Sequence, residues 1–296
     1  MDIFEELKNK VLIADGAMGT MLQKLGLKEG VCPESLNIDK PEMVEEVVKA
    51  YVQAGSNIIS TNTFGGNSYK LKDFNIPKEM VLSFNQKGVE IAKSAMGNKG
   101  FVFASCGTTG QIIDDEGGFA TYEDIYNAFK EQILAQAKGG ADGILIETQY
   151  SALESEAAIR AAKENTNLPV ICTYTFELGK RGFRTMMGLT PERAIENALE
   201  AGADIIGANC GNGIENMVEI CKEIREVTDK PTLINSNAGL PIFENGVTVY
   251  KSTPDEMASF IPALIEAGAN IIGGCCGTTP DHIKAIKEAA EKYNKL

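Results

Sequence analysis

A short motif recurs four times along the chain and constrains its fold more than any other feature. Each copy joins glycine, small or polar residues and the start of an apolar run, and the copies are Ala54–Ile59, Gly139–Ile144, Ala201–Ile206 and Ala267–Ile272. Glycine often ends a helix, and a short continuous apolar run is typical of a strand buried on both faces. The motif therefore predicts four junctions at which a helix ends and a buried parallel strand begins.

Eight apolar runs of this kind alternate with helical patterns, and the four junctions precede every second run. We predict strands at Val11–Ala14, Asn57–Ser60, Phe101–Ser105, Gly143–Glu147, Pro169–Tyr174, Asp204–Ala208, Pro231–Asn235 and Ile271–Gly274. Helical segments with apolar stripes or start signals lie between them, at Pro41–Gln53, Ser151–Glu164, Pro191–Glu200, Ile214–Val227 and Pro254–Glu266. This alternation predicts a single (β/α)₈ TIM barrel over residues 1–296, with a doubly wound open sheet as the alternative.

Charge and composition argue against several kinds of partner. The formal net charge is −13 and no basic run is present, so we expect neither nucleic acid nor a membrane as a partner. No apolar stretch is long enough to cross a membrane, and Met1–Glu6 lacks the apolar core of a secretion signal. We therefore expect a cytoplasmic protein in which the seven cysteines are reduced thiols.

Three of these cysteines follow predicted strands in glycine-rich sequence. Cys275 and Cys276 lie between Gly274 and Gly277, and Cys210 precedes another glycine. They are either small buried apolar residues or three thiolate ligands of a metal ion with an open fourth position, the arrangement of a catalytic zinc. Adjacent residues of a regular strand point to opposite faces. Cys275 and Cys276 can therefore reach one ion only where glycine lets the backbone leave strand geometry.

The single histidine restricts the remaining chemistry. Zinc sites built on two or three histidines are excluded, because His282 is the one histidine of the chain. It lies in the first turn of the last predicted helix, which Thr279 caps and Pro280 begins, and we expect its side chain to face solvent. We expect the cysteines outside the triplet to pack in the core or lie at the surface: Cys32, Cys106, Cys172 and Cys221.

Polar side chains gather where the predicted strands end. The set comprises Asp15, Thr61, Asn62, Cys106, Thr108, Glu147, Thr148, Thr175, Cys210, Asn237, Cys275 and Cys276. Asp15 and Glu147 each end an apolar run, where an unpaired charge is costly. They are either buried, hydrogen-bonded carboxylates or the receptor for a substrate ammonium group. The turns Gly16–Thr20 and Gly65–Asn67 are either tight loops or cradles whose backbone amides bind a carboxylate.

Four strings of residues carry a family resemblance. Asp15–Thr20, Thr61–Asn67, Gly207–Gly211 and Gly273–Pro280 resemble the homocysteine S-methyltransferase family. Within it, the likeness is to the N-terminal homocysteine-binding domain of cobalamin-dependent methionine synthases, and it runs from about Val11 to the last helix. The resemblance implies a (β/α)₈ barrel enzyme of methionine biosynthesis that transfers a methyl group to homocysteine.

The resemblance also implies a metal site and a substrate site. It assigns Cys210, Cys275 and Cys276 as the catalytic ligands of one zinc ion per chain, with the homocysteine sulfur as the fourth ligand. Such coordination converts a thiol, which is mostly protonated at neutral pH, into a thiolate nucleophile. The positions implied for the rest of the substrate are Asp15 and Glu147 for the amino group, amides near Gly16, Gly19 and Thr20 for the carboxylate, and Asn237 beside the metal.

The methyl donor is a separate question, because no folate-, cobalamin- or activation-domain sequence is present in the 296 residues. We expect methylcobalamin carried by a corrinoid protein or by another domain. S-methylmethionine and betaine are alternative donors, and the absence of tryptophan argues against betaine, since the enzymes that use it are expected to place tryptophan near the donor. Two further alternatives are a non-catalytic zinc- or thiol-binding module and a metal-free barrel enzyme in which Asp15 or Glu147 performs acid–base chemistry.

Overall fold

Eight parallel strands form the centre of the structure, a computed structural model that describes residues 2–244 and 247–293. The strands are β1 Leu12–Ile13, β2 Ile58–Ser60, β3 Phe101–Cys106, β4 Gly143–Gln149, β5 Val170–Tyr174, β6 Ile205–Gly213, β7 Thr232–Asn237 and β8 Ile271–Gly274. Each strand pairs with the next in chain order, and β8 returns to β1 through the pair Leu12 and Ile271. A single parallel bridge between Ala14 and Ile58 joins β1 to β2. The sheet is therefore a nearly closed (β/α)₈ barrel, which confirms the predicted fold and excludes the open sheet.

Helices of the described residues surround the barrel and fill its connections. They are α1 Ile3–Leu7, α2 Met18–Lys24, α3 Leu36–Asp39, α4 Pro41–Ala54, α5 Ser68–Asp73, α6 Met80–Met96, α7 Tyr122–Lys138, α8 Ala152–Asn165, α9 Pro191–Ala201, α10 Ile214–Val227, α11 Pro254–Ser259, α12 Ile261–Glu266 and α13 Pro280–Tyr293. Two antiparallel hairpins extend the connections after β5 and β7: Glu177–Gly179 with Gly182–Arg184, and Ile242–Glu244 with Val247–Val249. Within the described ranges, no helix has both the length and the apolar character that crossing a bilayer requires.

One predicted helix is divided in two. The segment Pro254–Glu266 was expected to be continuous, but α11 ends at Ser259 and α12 begins at Ile261. Proline has no backbone N–H and its ring crowds the carbonyl four residues earlier, so Pro262 cannot continue the helix that begins at Pro254. The capping box of Thr253 and Glu256 forms as the sequence predicts.

Alternating side chains divide the barrel into an apolar interior and a polar mouth. The lower interior is filled by one apolar cluster with Ile3 of α1 beneath it, and its strand residues are Leu12, Ala14, Ile58, Phe101, Phe103, Leu145, Ile171, Ile205, Leu233 and Ile271. Because side chains alternate along a strand, the inward positions nearer the carboxyl ends lie above this cluster. They include Ser60, Ser105, Glu147 and Asn209. Polar groups therefore meet at one end of the barrel.

The expectation that His282 faces solvent is wrong. Its side chain is buried, with 7% of the residue exposed, because the connection after β7 folds over the start of α13. The ring Nε2 donates to the Ser252 carbonyl oxygen at 2.9 Å, and Nδ1 accepts from the Thr279 backbone N–H at 3.2 Å. Since Nδ1 accepts from a group that can only donate, the ring is in its Nε2–H form. His282 thus fastens α13 to the loop that covers it.

Candidate metal and substrate site

Three sulfur atoms converge at the mouth of the barrel. The Sγ atoms of Cys210, Cys275 and Cys276 all lie within 4.8 Å of one another, and those of Cys210 and Cys276 are 3.9 Å apart. Across residues 2–244 and 247–293, no other set of three Cys, His, Asp or Glu residues gathers its ligand atoms this closely. All three cysteines are partly exposed, whereas Cys32, Cys106, Cys172 and Cys221 are buried in the core.

A tight turn after β8 lets the two adjacent cysteines face the same point. The Cys275 carbonyl oxygen accepts from the backbone N–H of Thr278 at 3.2 Å and from its hydroxyl at 2.7 Å. Gly277 has a φ of 80°, a left-handed conformation that glycine adopts without strain. Gly277 also packs against Tyr250: a side chain at position 277 would place its Cβ 2.3 Å from the Tyr250 Cβ. The glycine context therefore has the backbone role that the sequence predicts.

The third cysteine reaches the cluster through a strained backbone. Cys210 has a φ of 59°, which non-glycine residues adopt rarely and mostly at functional sites. Its strand β6 continues to Gly213, five residues beyond the predicted end, and the pairing with β7 shifts register between Asn209 and Gly213. This irregularity turns the Cys210 side chain toward the sulfurs that follow β8.

The donor set fits a zinc ion. Sulfurs that bind one tetrahedral zinc at about 2.3 Å lie about 3.8 Å from each other, close to the 3.9 Å between Cys210 and Cys276. Hydrogen bonds from the thiols of Cys210 and Cys275 lower the pKa of the Cys276 thiol to about 3, whereas hydrogen bonds to Cys210 and Cys276, together with burial, raise the pKa of Cys275. The cluster therefore accommodates one thiolate readily. Three thiolates would require a bound cation to compensate their negative charges.

Two carboxylates lie in the same mouth, of which Asp15 is buried and Glu147 is half-buried. Asp15 follows β1 and accepts from the backbone N–H of Ser60 at 2.8 Å and from its hydroxyl. Glu147 in β4 accepts from the Ser105 hydroxyl at 2.5 Å. Burial raises the pKa of Asp15 to about 8 and that of Glu147 to about 7, although the serine hydrogen bonds oppose the shift. A cation bound between them would restore the charged form of both, which suits an ammonium group.

Asn209 links these carboxylates to the sulfurs, and sequence reasoning did not single it out. It is fully buried on β6, one residue before Cys210. Its amide nitrogen lies 3.4 Å from Glu147 Oε2 and 3.8 Å from Cys275 Sγ. Its position inside the string Gly207–Gly211 was the one sequence feature that could have indicated a role. Its contacts with Glu147 and Cys275 could not be predicted, because they join strands that are distant in the sequence.

The glycine turn after β1 lies beside the cysteine turn. Gly16 fits only without a side chain, since an added Cβ would be 2.6 Å from the Thr278 hydroxyl and 2.9 Å from the Tyr51 ring. Gly19 and Thr20 lie in the first turns of α2, and nothing is within 4 Å of the Gly19 Cβ position. The Thr20 hydroxyl oxygen is buried and finds no hydrogen-bond partner among the described residues. The Oδ1 atom of Asn237, at the end of β7, is likewise buried and has no hydrogen-bond partner among the described residues.

The second predicted cradle is occupied by the protein itself. The Gly65 backbone N–H donates to Glu34 Oε1 at 2.6 Å, and Glu34 Oε2 accepts from the Cys32 thiol at 3.1 Å. Glu34 is a buried acid in the long connection after β1. The Gly65 amide is therefore engaged by an internal carboxylate and is not available to a substrate, which favours the tight-loop interpretation of this turn.

Comparisons with known proteins agree with this architecture. The family model of homocysteine S-methyltransferases matches residues 12–290. Methionine synthase of Mycobacterium leprae is 31% identical over 99% of this chain, and that of Mycobacterium tuberculosis is 32% identical over 99%. The chain spans about a quarter of the length of these relatives, 25% and 26% respectively.

Solved structures share the fold at lower identity. The metallated form of the homocysteine methyltransferase MmuM from Escherichia coli superposes with a TM-score of 0.80 at 21% identity, covering 95% of this chain and 96% of that one. A methyltransferase from Methanosarcina mazei has a TM-score of 0.60 at 10% identity and covers 96% of this chain and 94% of that one.

The structure and the sequence together define a (β/α)₈ barrel with a cluster of three cysteine sulfurs at its mouth. The chain belongs to the homocysteine S-methyltransferase family.

Proposed function

We propose that the chain is a zinc-dependent homocysteine S-methyltransferase in which Cys210, Cys275 and Cys276 hold one zinc ion. The observation that carries the proposal is the cluster of three sulfurs, within 4.8 Å of one another and partly exposed at the mouth of the barrel. Three ligands and an open side are typical of a catalytic zinc rather than a structural one. When bound, the ion supplies the acidity that converts the substrate thiol into a thiolate at neutral pH.

The thiolate ligands favour this chemistry over simple Lewis-acid activation. Each of the three cysteines brings a negative charge, so a substrate sulfur bound beside them retains more electron density than it would beside neutral histidines. A methylated product sulfur would be a neutral thioether, which is not among the usual ligands of zinc, so a metal ion held by the three cysteines would bind the product weakly.

We assign the remainder of the substrate to the polar groups around the sulfurs. Asp15 and Glu147 would bind the ammonium group, because a cation offsets the burial that raises the pKa of both carboxyls. Backbone amides near Gly16 and Gly19, with the unpartnered Thr20 hydroxyl, would bind the carboxylate. The unpartnered Asn237 amide oxygen would lie beside the metal or the substrate.

We propose methylcobalamin, carried by another domain or by a corrinoid protein, as the methyl donor. The support is the identity of 31% and 32% to methionine synthases, of which this chain covers about a quarter. S-methylmethionine and betaine are the alternative donors. The assignment of residues 1–296 to one homocysteine-binding domain and a cytoplasmic location remain predictions.

A methyl-transfer assay tests the proposal. The zinc-loaded chain would be given homocysteine with free methylcobalamin, S-methylmethionine or betaine, and methionine would be measured. We expect methionine with methylcobalamin, and none from a Cys210→Ala variant assayed in parallel. Zinc-loaded protein that binds homocysteine but forms no methionine with any of the three donors would favour a non-catalytic thiol-binding module.

A further inference from the structure

The side chain of Asn209 stands between the two halves of the proposed site. Its amide oxygen accepts from the Thr148 backbone N–H at 2.8 Å and from the Thr173 hydroxyl at 2.7 Å. Its amide nitrogen donates to the Thr148 hydroxyl at 2.8 Å and faces Glu147 Oε2 and Cys275 Sγ. The residue is fully buried, so each of these contacts replaces a hydrogen bond to water.

The orientation of the amide is fixed by its neighbours. A backbone N–H can only donate, so the atom of Asn209 that meets Thr148 N must be the oxygen. The nitrogen is then the atom that faces the carboxylate and the sulfur. Thr148 is held in a left-handed conformation with a φ of 61°, which is rare for a β-branched residue. The amide therefore also clamps the residue that follows Glu147 in a strained geometry.

The amide nitrogen has more acceptors than hydrogens. One of its two hydrogens is committed to the Thr148 hydroxyl at 2.8 Å. The other points toward two acceptors at longer range, Glu147 at 3.4 Å and Cys275 at 3.8 Å. At this distance a neutral thiol accepts only a weak hydrogen bond. A thiolate carries a charge and is a stronger acceptor. If the Glu147 carboxylate binds a cation, the second hydrogen of the Asn209 amide is left to the Cys275 sulfur.

We propose that Asn209 is a positioning and specificity-determining residue that protects the Cys275 sulfur from methylation. This inference rests on the proposed function, in which four sulfurs surround one ion and only the sulfur of the substrate accepts the methyl group. An N–H that donates to Cys275 withdraws electron density from that sulfur and lowers its nucleophilicity. Among the described residues, the Asn209 amide is the side-chain nitrogen within hydrogen-bonding distance of the Cys275 sulfur.

The unwanted reaction can be provoked with methyl iodide. The Cys275 sulfur then forms an S–CH₃ bond as the C–I bond breaks, iodide leaves with the bonding pair, and the thiolate becomes a neutral thioether. Zinc-loaded protein without homocysteine would be treated for increasing times, and methylation of Cys210, Cys275 and Cys276 would be measured separately by peptide mass spectrometry.

Two variants separate the N–H from the clamp. Asn209→Ala removes both functions, whereas Asn209→Asp retains an oxygen that accepts from Thr148 and Thr173 but has no N–H to donate. Asn85→Ala is the matched control, because Asn85 is equally buried and its amide nitrogen donates two hydrogen bonds, to the Gly66 and Val81 carbonyl oxygens, away from the sulfurs. In both Asn209 variants, we expect methylation of Cys275 to rise about 3- to 10-fold relative to the wild type, the effect of losing one hydrogen bond.

A spectroscopic measurement reports on the same contact without any reaction. In the cobalt-substituted protein, loss of the N–H should shift the sulfur-to-cobalt charge-transfer band to lower energy in both Asn209 variants and leave it unchanged in Asn85→Ala. The inference is overturned if Asn209→Asp methylates Cys275 at the wild-type rate, which would leave only the clamp, or if Asn85→Ala shows the same increase. A protein that takes up neither zinc nor cobalt would overturn the proposed function as well, whereas unchanged methylation in a zinc-loaded variant overturns the inference alone.

Discussion

The sulfur of Cys210 lies 3.9 Å from the sulfur of Cys276, although the two residues are 66 positions apart and β7 separates their strands. A disulfide would bring the two atoms to about 2.05 Å, and unrelated thiols have no reason to meet across an intervening strand. The approach depends on the left-handed backbone at Cys210 and on the turn at Gly277. The chain therefore has strained backbone at a point where three cysteine sulfurs come together.

Replacing any of these cysteines should remove the metal. We expect Cys210→Ser or Cys276→Ser to lower zinc affinity by more than about 100-fold, since even residues that only support metal ligands contribute 10- to 100-fold. Cys221→Ala is the control, because Cys221 is buried between helices and its thiol faces the Ala267 carbonyl oxygen. Chelator competition would measure the affinities. A Cys210→Ser variant that is zinc-free and fully active would contradict the assignment.

The buried Asp15 carboxyl should make ligand-free stability depend on pH. Its pKa is raised from 3.8 to about 8, so between these values the folded protein binds more protons than the unfolded chain. The free energy of unfolding contributed by this group is therefore highest at low pH and falls as the pH rises toward 8. Asp15→Asn should be about 1–3 kcal/mol more stable than the wild type at pH 8, with little difference at pH 4. Urea denaturation at both pH values tests this; equal differences at both would contradict it.

Glu147→Gln should weaken the binding of homocysteine through its amino group. A charged hydrogen bond contributes about 1.5–3 kcal/mol, so we expect the dissociation constant to rise about 10- to 100-fold. Mercaptobutanoate, which is homocysteine without its amino group, provides the internal control, and its affinity should change little. Calorimetric titration of both ligands measures the two effects. An equal loss for both would indicate that Glu147 acts on the metal or on the fold instead.

Two glycines near the site should respond in opposite ways to alanine. A Cβ at Gly207 would be 1.8 Å from the Leu233 carbonyl oxygen in the neighbouring strand, so Gly207→Ala should destabilise the protein by about 3 kcal/mol or more. Gly19 lies in α2 with nothing within 4 Å of its Cβ position, so Gly19→Ala should be neutral or stabilise by up to about 1 kcal/mol. Thermal unfolding of both variants decides this, and a tolerated Gly207→Ala would mean that β6 and β7 are less closely packed.

The barrel could be predicted because its signals are local. The apolar runs and the repeated junction motif depend only on neighbouring residues, and β8 has the predicted bounds, Ile271–Gly274. The end of β6 could not be predicted, since Asn209–Gly213 is polar and is held in the strand by an irregular register with β7. The division between α11 and α12 has a local cause in the sequence, because Pro262 cannot continue the helix that begins at Pro254.

The site was only partly predictable for a related reason. The three cysteines carry a local signal in the glycines around them, so their convergence could be anticipated. The partners Ser105 and Glu147 are 42 residues apart, and which side chains face each other across a barrel depends on strand register. The burial of His282 depends in the same way on a loop that folds back from Ser252. Such contacts are set by tertiary packing, which cannot be predicted from the local pattern of a single sequence.

Metal content and coordination test the central claim most directly. The purified protein would be assayed for zinc by elemental analysis, and its zinc-edge X-ray absorption would be recorded before and after homocysteine is added. The account predicts one zinc per chain, with three sulfur ligands that become four when homocysteine binds. A folded protein that does not bind zinc, or a number of sulfur ligands that does not change when homocysteine is added, would contradict it.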